Sequence, residues 1–81
     1  MMSRAEEERL GGDAQRLLED PTFQWAINTL RSRYFVEFEM STTSKERDEV
    51  HAKLKALGDI SGQLTAAITT GKLAGRELAR I

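Results

Sequence analysis

His51 is the only side chain in this 81-residue chain that ordinarily titrates near neutrality, so proton transfer is sought there first. It follows Val50 among Arg47, Asp48, Glu49 and Lys53, a charged flank with no serine or carboxylate at a spacing that forces a triad. Two carboxylate pairs come next. Glu37 and Glu39 differ by two and point apart on a helix, whereas Glu46 and Glu49 differ by three and share a face. General acid–base work needs one partner raised by burial, and the charged company of Lys45, Arg47 and Lys53 describes solvated faces instead. A metal site would have one histidine, no cysteine, and no Glu-x-x-His or His-Glu-x-x-His pattern to draw on. Gly71-Lys72 lacks the upstream glycine, following Ser/Thr and preceding strand of a phosphate-binding loop. The expectation is a protein that is not an enzyme, with no catalytic, cofactor-binding or metal site and no small-molecule substrate.

Composition points the same way. A chain of this length buries only about 60% of the surface its unfolded form exposes, which leaves little room for a water-excluded cleft and makes self-association a common remedy. Residues 1–81 are read as one small domain. Without cysteine there is no disulfide framework and no thiol nucleophile. Twelve basic and thirteen acidic side chains leave a net charge of −1, which argues against a nucleic-acid coat, a polybasic membrane anchor and a polyanion mimic. That balance hides an asymmetry: residues 1–40 carry five basic and eight acidic groups, residues 41–81 seven and five. The segment Met1–Arg9 is charged with no apolar stretch behind it, so no secretory signal is expected. Apolar runs reach only two or three residues, as at Tyr34-Phe35-Val36, and no membrane span is expected.

Pro21 and the cluster Ser41-Thr42-Thr43-Ser44 divide the chain into three segments, each with a helical start signal. Ser3 and Glu6 have the spacing of a capping box, but the stripe behind them (Ala5, Leu10, Ala14, Leu17, Leu18) is thin. Gly11-Gly12 costs about 1 kcal/mol per glycine relative to alanine. This first helix is expected to be weak, with 1–12 frayed and a start nearer Asp13. Asp20-Pro21 is a stronger signal, an aspartate cap before a proline at the first helical position, and predicts a helix from Pro21 to about Met40. There Phe23, Ile27, Leu30, Tyr34 and Phe38 form one apolar face, while Trp25, Phe35 and Val36 lie off it. All five aromatics fall between Phe23 and Phe38. They are read mainly as core, with Trp25 or Phe35 as the alternative anchor for a partner.

Thr43 with Glu46 opens the third helix. Val50, Leu54, Leu57, Ser61, Leu64, Ile68 and Gly71 recur at alternating steps of four and three, a heptad seam. Gly58, Ser61 and Gly62 give it a small profile, read as a place where another helix backbone comes close rather than as a kink. Gly71 is expected to end the helix in a left-handed cap, leaving 73–81 as a short turn or tail in which Leu73, Leu78 and Ile81 seal the core or a neighbour's. The short connection makes the second and third helices antiparallel neighbours. The fold expected is therefore all-α: an antiparallel two-helix hairpin with a weaker N-terminal helix, completed by homo-oligomerisation. Its interface residues would be Trp25, Phe35, Phe38, Leu57, Ser61, Leu64 and Ile68.

Nucleic acid is the alternative partner. Lys53, Lys55, Lys72, Arg76 and Arg80 make the C-terminal half mildly basic, and Leu57–Leu64 read as a turn would convert Lys45–Ile81 into a helix-turn-helix. Against this, Leu64–Thr70 has no arginine or lysine to meet phosphates or guanines.

The run Arg16-Leu17-Leu18-Glu19-Asp20-Pro21-x-Phe23 is followed by Tyr34-Phe35-Val36-Glu37-Phe38, then Arg47-Asp48-Glu49 leading to Leu54-x-x-Leu57, and finally Thr70-Gly71-Lys72-Leu73-Ala74. Together these resemble small helical proteins encoded near the structural and packaging genes of tailed bacteriophages, over most of residues 14–74. The resemblance implies a phage setting, in the bacterial cytoplasm or the virion. It implies work in virion assembly or DNA packaging, or as a stoichiometric inhibitor of a host defence complex. It brings no catalytic residues.

Overall fold

The computed structural model describes residues 1–80 as three helices: α1 (Arg4–Glu19), α2 (Pro21–Met40) and α3 (Ser44–Ala79), with no strand among the described residues. Each starts where a side-chain oxygen meets a free backbone donor of its first turn. Ser3 Oγ accepts from the Glu6 N–H at 3.2 Å, Asp20 Oδ1 from Phe23 at 2.9 Å, and Thr43 Oγ1 from Glu46 at 3.1 Å. The return contacts of the two capping boxes are shifted. The Glu46 carboxylate accepts from the N–H of Thr42, one residue before the cap, at 3.0 Å, and the Glu6 carboxylate accepts from the Ser3 hydroxyl at 3.3 Å.

A single non-helical residue separates α1 from α2. Asp20 is extended, with φ −67° and ψ 123°, because the ring of Pro21 disfavours helical backbone in the residue before it. The end of α1 is satisfied locally: the Asp20 N–H donates to the Leu17 carbonyl at 3.1 Å and the Gln24 amide to the Leu18 carbonyl at 3.0 Å.

The 36 residues of α3 span ~54 Å, nearly the whole 59 Å length of the molecule. α1 lies along its C-terminal half, where Arg4 pairs with Glu77 and Gly11 meets Gly71. Leu18 and Phe23 border Ser61 near its middle, and Glu37 reaches Lys53 of its N-terminal half at 3.3 Å. The radius of gyration is 17.1 Å, against about 12 Å for a compact chain of this length. The molecule is therefore a rod with a thin core: among the described residues the buried hydrophobic ones are Ala14, Val50, Leu57 and Ala74, and no large side chain is fully buried.

The helix termini differ from expectation at both ends. α1 is continuous from Arg4 across Gly11-Gly12 and does not begin near Asp13. α3 does not stop at Gly71, which lies inside the helix, and no glycine has positive φ among the described residues. Residues 73–79 are helix rather than a tail, and the sealing role expected of Ile81 lies outside the described residues.

Both corrections have one cause. A Cβ built on Gly11 would stand 2.8 Å from the Ala67 carbonyl oxygen and 3.0 Å from the Gly71 Cα, and one on Gly71 would stand 2.9 Å from the Glu7 carbonyl oxygen. The two glycines are where the backbones of α1 and α3 touch. Close contact is sought by both helices there, so each runs through its glycine. At Gly58 and Gly62, where a close approach was expected, a Cβ would meet nothing within 4 Å.

Candidate protein-binding surface

α2 is bounded by the Asp20 cap and by Ser41, whose N–H and hydroxyl both go to the Phe38 carbonyl, at 3.2 and 2.6 Å. Between these ends, one side of the helix faces α3. Phe23, Ala26, Ile27, Leu30, Tyr34 and Glu37 are half-buried, and no residue of α2 is buried. Lys53 ties this side to α3 twice: its Nζ donates to Glu37 at 3.3 Å and lies 5.6 Å from the centre of the Tyr34 ring.

The remaining surface of α2 carries large apolar side chains in solvent. Trp25 is 66% exposed, Met40 74%, and Phe35 and Val36 each 53%; Phe38 is exposed too. On the helical period Trp25, Ser32, Val36 and Met40 fall opposite Phe23, Ile27 and Tyr34, with Phe35 to one flank. The helix is apolar on more than one side, and α3 can occupy only one of them. Its charge is also sparse: from Pro21 to Val36 the only charged side chains are Arg31 and Arg33.

The expected interface residues thus divide. Trp25, Phe35 and Phe38 are exposed on α2, whereas Leu57 is buried and Ser61, Leu64 and Ile68 are half-buried against α1 and α2 of the same chain. Ser61 borders Leu18, Phe23 and Ile27; Leu64 lies beside Leu10, Ala14 and Leu17; Ile68 lies beside Gly11 and Gly12. Within this chain the four seam residues pack against α1 and α2, with α1 lying along the C-terminal half of the seam. Val36 and Met40 join the exposed set. The same period that placed Phe23 and Tyr34 inward places them outward.

The basic residues do not converge on a groove. Lys53 is engaged with Glu37, while Lys55, Lys72, Arg76 and Arg80 are exposed along a helix unbroken through Leu57–Leu64, so the turn required for a helix-turn-helix is absent. His51 is exposed, and no group of three or more His, Asp or Glu side chains is placed to hold a metal ion among the described residues. At the surface, the Glu77 and Glu7 carboxylates, hydrogen-bonded to the Arg4 guanidinium, push its pKa above its already high value. No described helix is long and apolar enough to cross a membrane.

Compared with protein families, curated proteins and solved structures, the chain matches none.

Proposed function

We propose that this chain is a non-enzymatic helical module that works by protein–protein contact through the outer side of α2, as an accessory to bacteriophage virion assembly or packaging. One observation carries the contact: the helix that holds every aromatic residue has no buried residue. Aromatics supply most of the burial free energy available to a small domain, and Trp25, Phe35 and Phe38 exposed on one helix are the mark of a surface that is covered in use. Sparse charge from Pro21 to Val36 fits the centre of an interface, where charged groups are depleted. The phage setting rests on the residue-pattern resemblance. In this reading the antiparallel packing of α2 on α3 is a platform that holds the aromatic side open, and the chain is completed by association.

The test is a binding assay against the capsid, portal and terminase proteins encoded beside its gene, with Trp25→Ala and Phe35→Ala variants whose helical circular dichroism is intact. Partner capture by the parent chain and its loss in both variants is the expected result. A partner held equally well by both variants would show that α2 is not the contact.

A further inference from the structure

α1 has 16 residues with Gly11-Gly12 at its middle. Helices of this length are marginal in water even when rich in alanine, and each of the two glycines weakens this one further. Yet it is helical from Arg4 to Glu19. What it gains from α3 is narrow and specific. Gly11 and Ala14 are its buried residues, Leu10 and Leu17 stay exposed, and the backbone contact between Gly11 and Gly71 leaves no room for a methyl on either. Arg4 pairs with Glu77 across the two helices, but both side chains are more than half exposed, which makes this a weak fastening.

We infer that α1 is a strap that folds only as it docks on α3, and that it releases by melting as one unit while the hairpin of α2 and α3 stays folded. Release uncovers Leu64, Ile68 and Gly71, which α1 overlies. Access to that side of α3 is then set by the folding of α1, independently of the surface on α2.

Two further features fix the manner of release. Asp20 alone connects α1 to α2, and the ring of Pro21 holds it extended. That restriction is local and persists when α1 leaves α3, so an undocked α1 gains no support by continuing α2 as one straight helix. Nor does α2 depend on α1. Its 20 residues contain no glycine, Asp20 Oδ1 caps its first turn, and Glu37 and Tyr34 meet Lys53 on the other half of α3.

Hydrogen exchange of the full chain, read amide by amide under native conditions, resolves such partial openings. Amides from Leu10 to Leu18 should exchange as a group, at least about tenfold faster than those from Val50 to Leu57. Two neighbouring substitutions then separate helix formation from docking. A Cβ on Gly12 meets only the Arg16 guanidinium of its own helix, at 3.7 Å, so Gly12→Ala should slow exchange in α1 by up to about fivefold through propensity alone. Gly11→Ala gains the same propensity but blocks docking, and should speed exchange in α1 by about 30- to 150-fold or to the unprotected rate. Gly71→Ala, made on α3, should release α1 in the same way. In both of these variants Val50 to Leu57 should remain protected after α1 has lost its protection.

If α1 in the parent chain exchanges no faster than Val50 to Leu57, the molecule is one cooperative unit and the strap is overturned. Slower exchange in both Gly11→Ala and Gly12→Ala would make α1 a helix that stands without α3, which overturns folding on docking. Loss of protection from Val50 to Leu57 together with α1 in Gly71→Ala would show that the hairpin does not outlast the strap, and overturns separate melting.

Discussion

α1 and α2 pack along the two halves of one long helix, yet they meet it in opposite ways. On the α1 half the contact is made by small residues: Gly11 and Ala14 lie against α3, where Gly71 and Ala74 are buried, and the backbones come within reach of one another. On the α2 half large side chains meet α3 with partial burial, and Glu37–Lys53 with the Tyr34 ring supplies the polar fastening. Small residues remove little apolar area from water, so the first half gains its stability from close packing. The second has apolar area to spare and leaves much of it outside. Within one chain, one half is joined by close backbone approach and the other leaves its aromatic bulk exposed.

The most severe way to break this contrast is to add one methyl at the closed half. Gly11→Ala or Gly71→Ala forces backbone against backbone and should lower stability by about 2–3 kcal/mol, each kcal/mol moving the melting temperature by about 4–8 °C. Thermal melts followed by circular dichroism check this, and unchanged melts would remove the glycine contact as the seal. The same methyl placed where nothing is packed should act with the opposite sign. Gly58→Ala and Gly62→Ala, with open space at the added atom, should each raise stability by up to about 1 kcal/mol through helix propensity alone, as measured by urea unfolding.

At the open half, smaller effects are expected. Lys53→Met removes an exposed ion pair and a cation–ring contact at once, and should cost under about 1 kcal/mol, with a difference from the parent that narrows as salt is added. Trp25→Ala should change the stability of the dilute, isolated chain by no more than about 0.5 kcal/mol, because its side chain has no packed surroundings there. A larger loss at low concentration would mean that Trp25 is core and that the two halves are not so different.

Much of this architecture was legible from local signals. Ser3, Asp20 and Thr43 mark the helix starts, Pro21 to Met40 bounds α2, and the steps of four and three from Val50 to Gly71 pick out the side that α3 turns inward. These are legible because a cap or a helical face involves residues within a few positions of one another. Gly11 and Gly71 misled for the complementary reason. Each looks like a helix breaker when only its neighbours in sequence are counted, and the partner that makes each useful lies on a different helix. A hint was present in the run Ala67, Gly71 and Ala74, small residues on one helical side, but nothing near it in sequence said that α1 would be what came close.

The exposed side of α2 divides along the same line. Composition and period established that this helix is apolar around more than one side, so that something must cover more than one side of it. Which side α3 takes, and therefore that Trp25, Val36 and Met40 are left in solvent while Leu57 and Leu64 are turned inward, is a property of the packed chain. Helix formation is written in short-range hydrogen bonding and side-chain spacing, whereas the choice of face depends on how closely distant backbones can approach, and that distance exists only once the helices are docked.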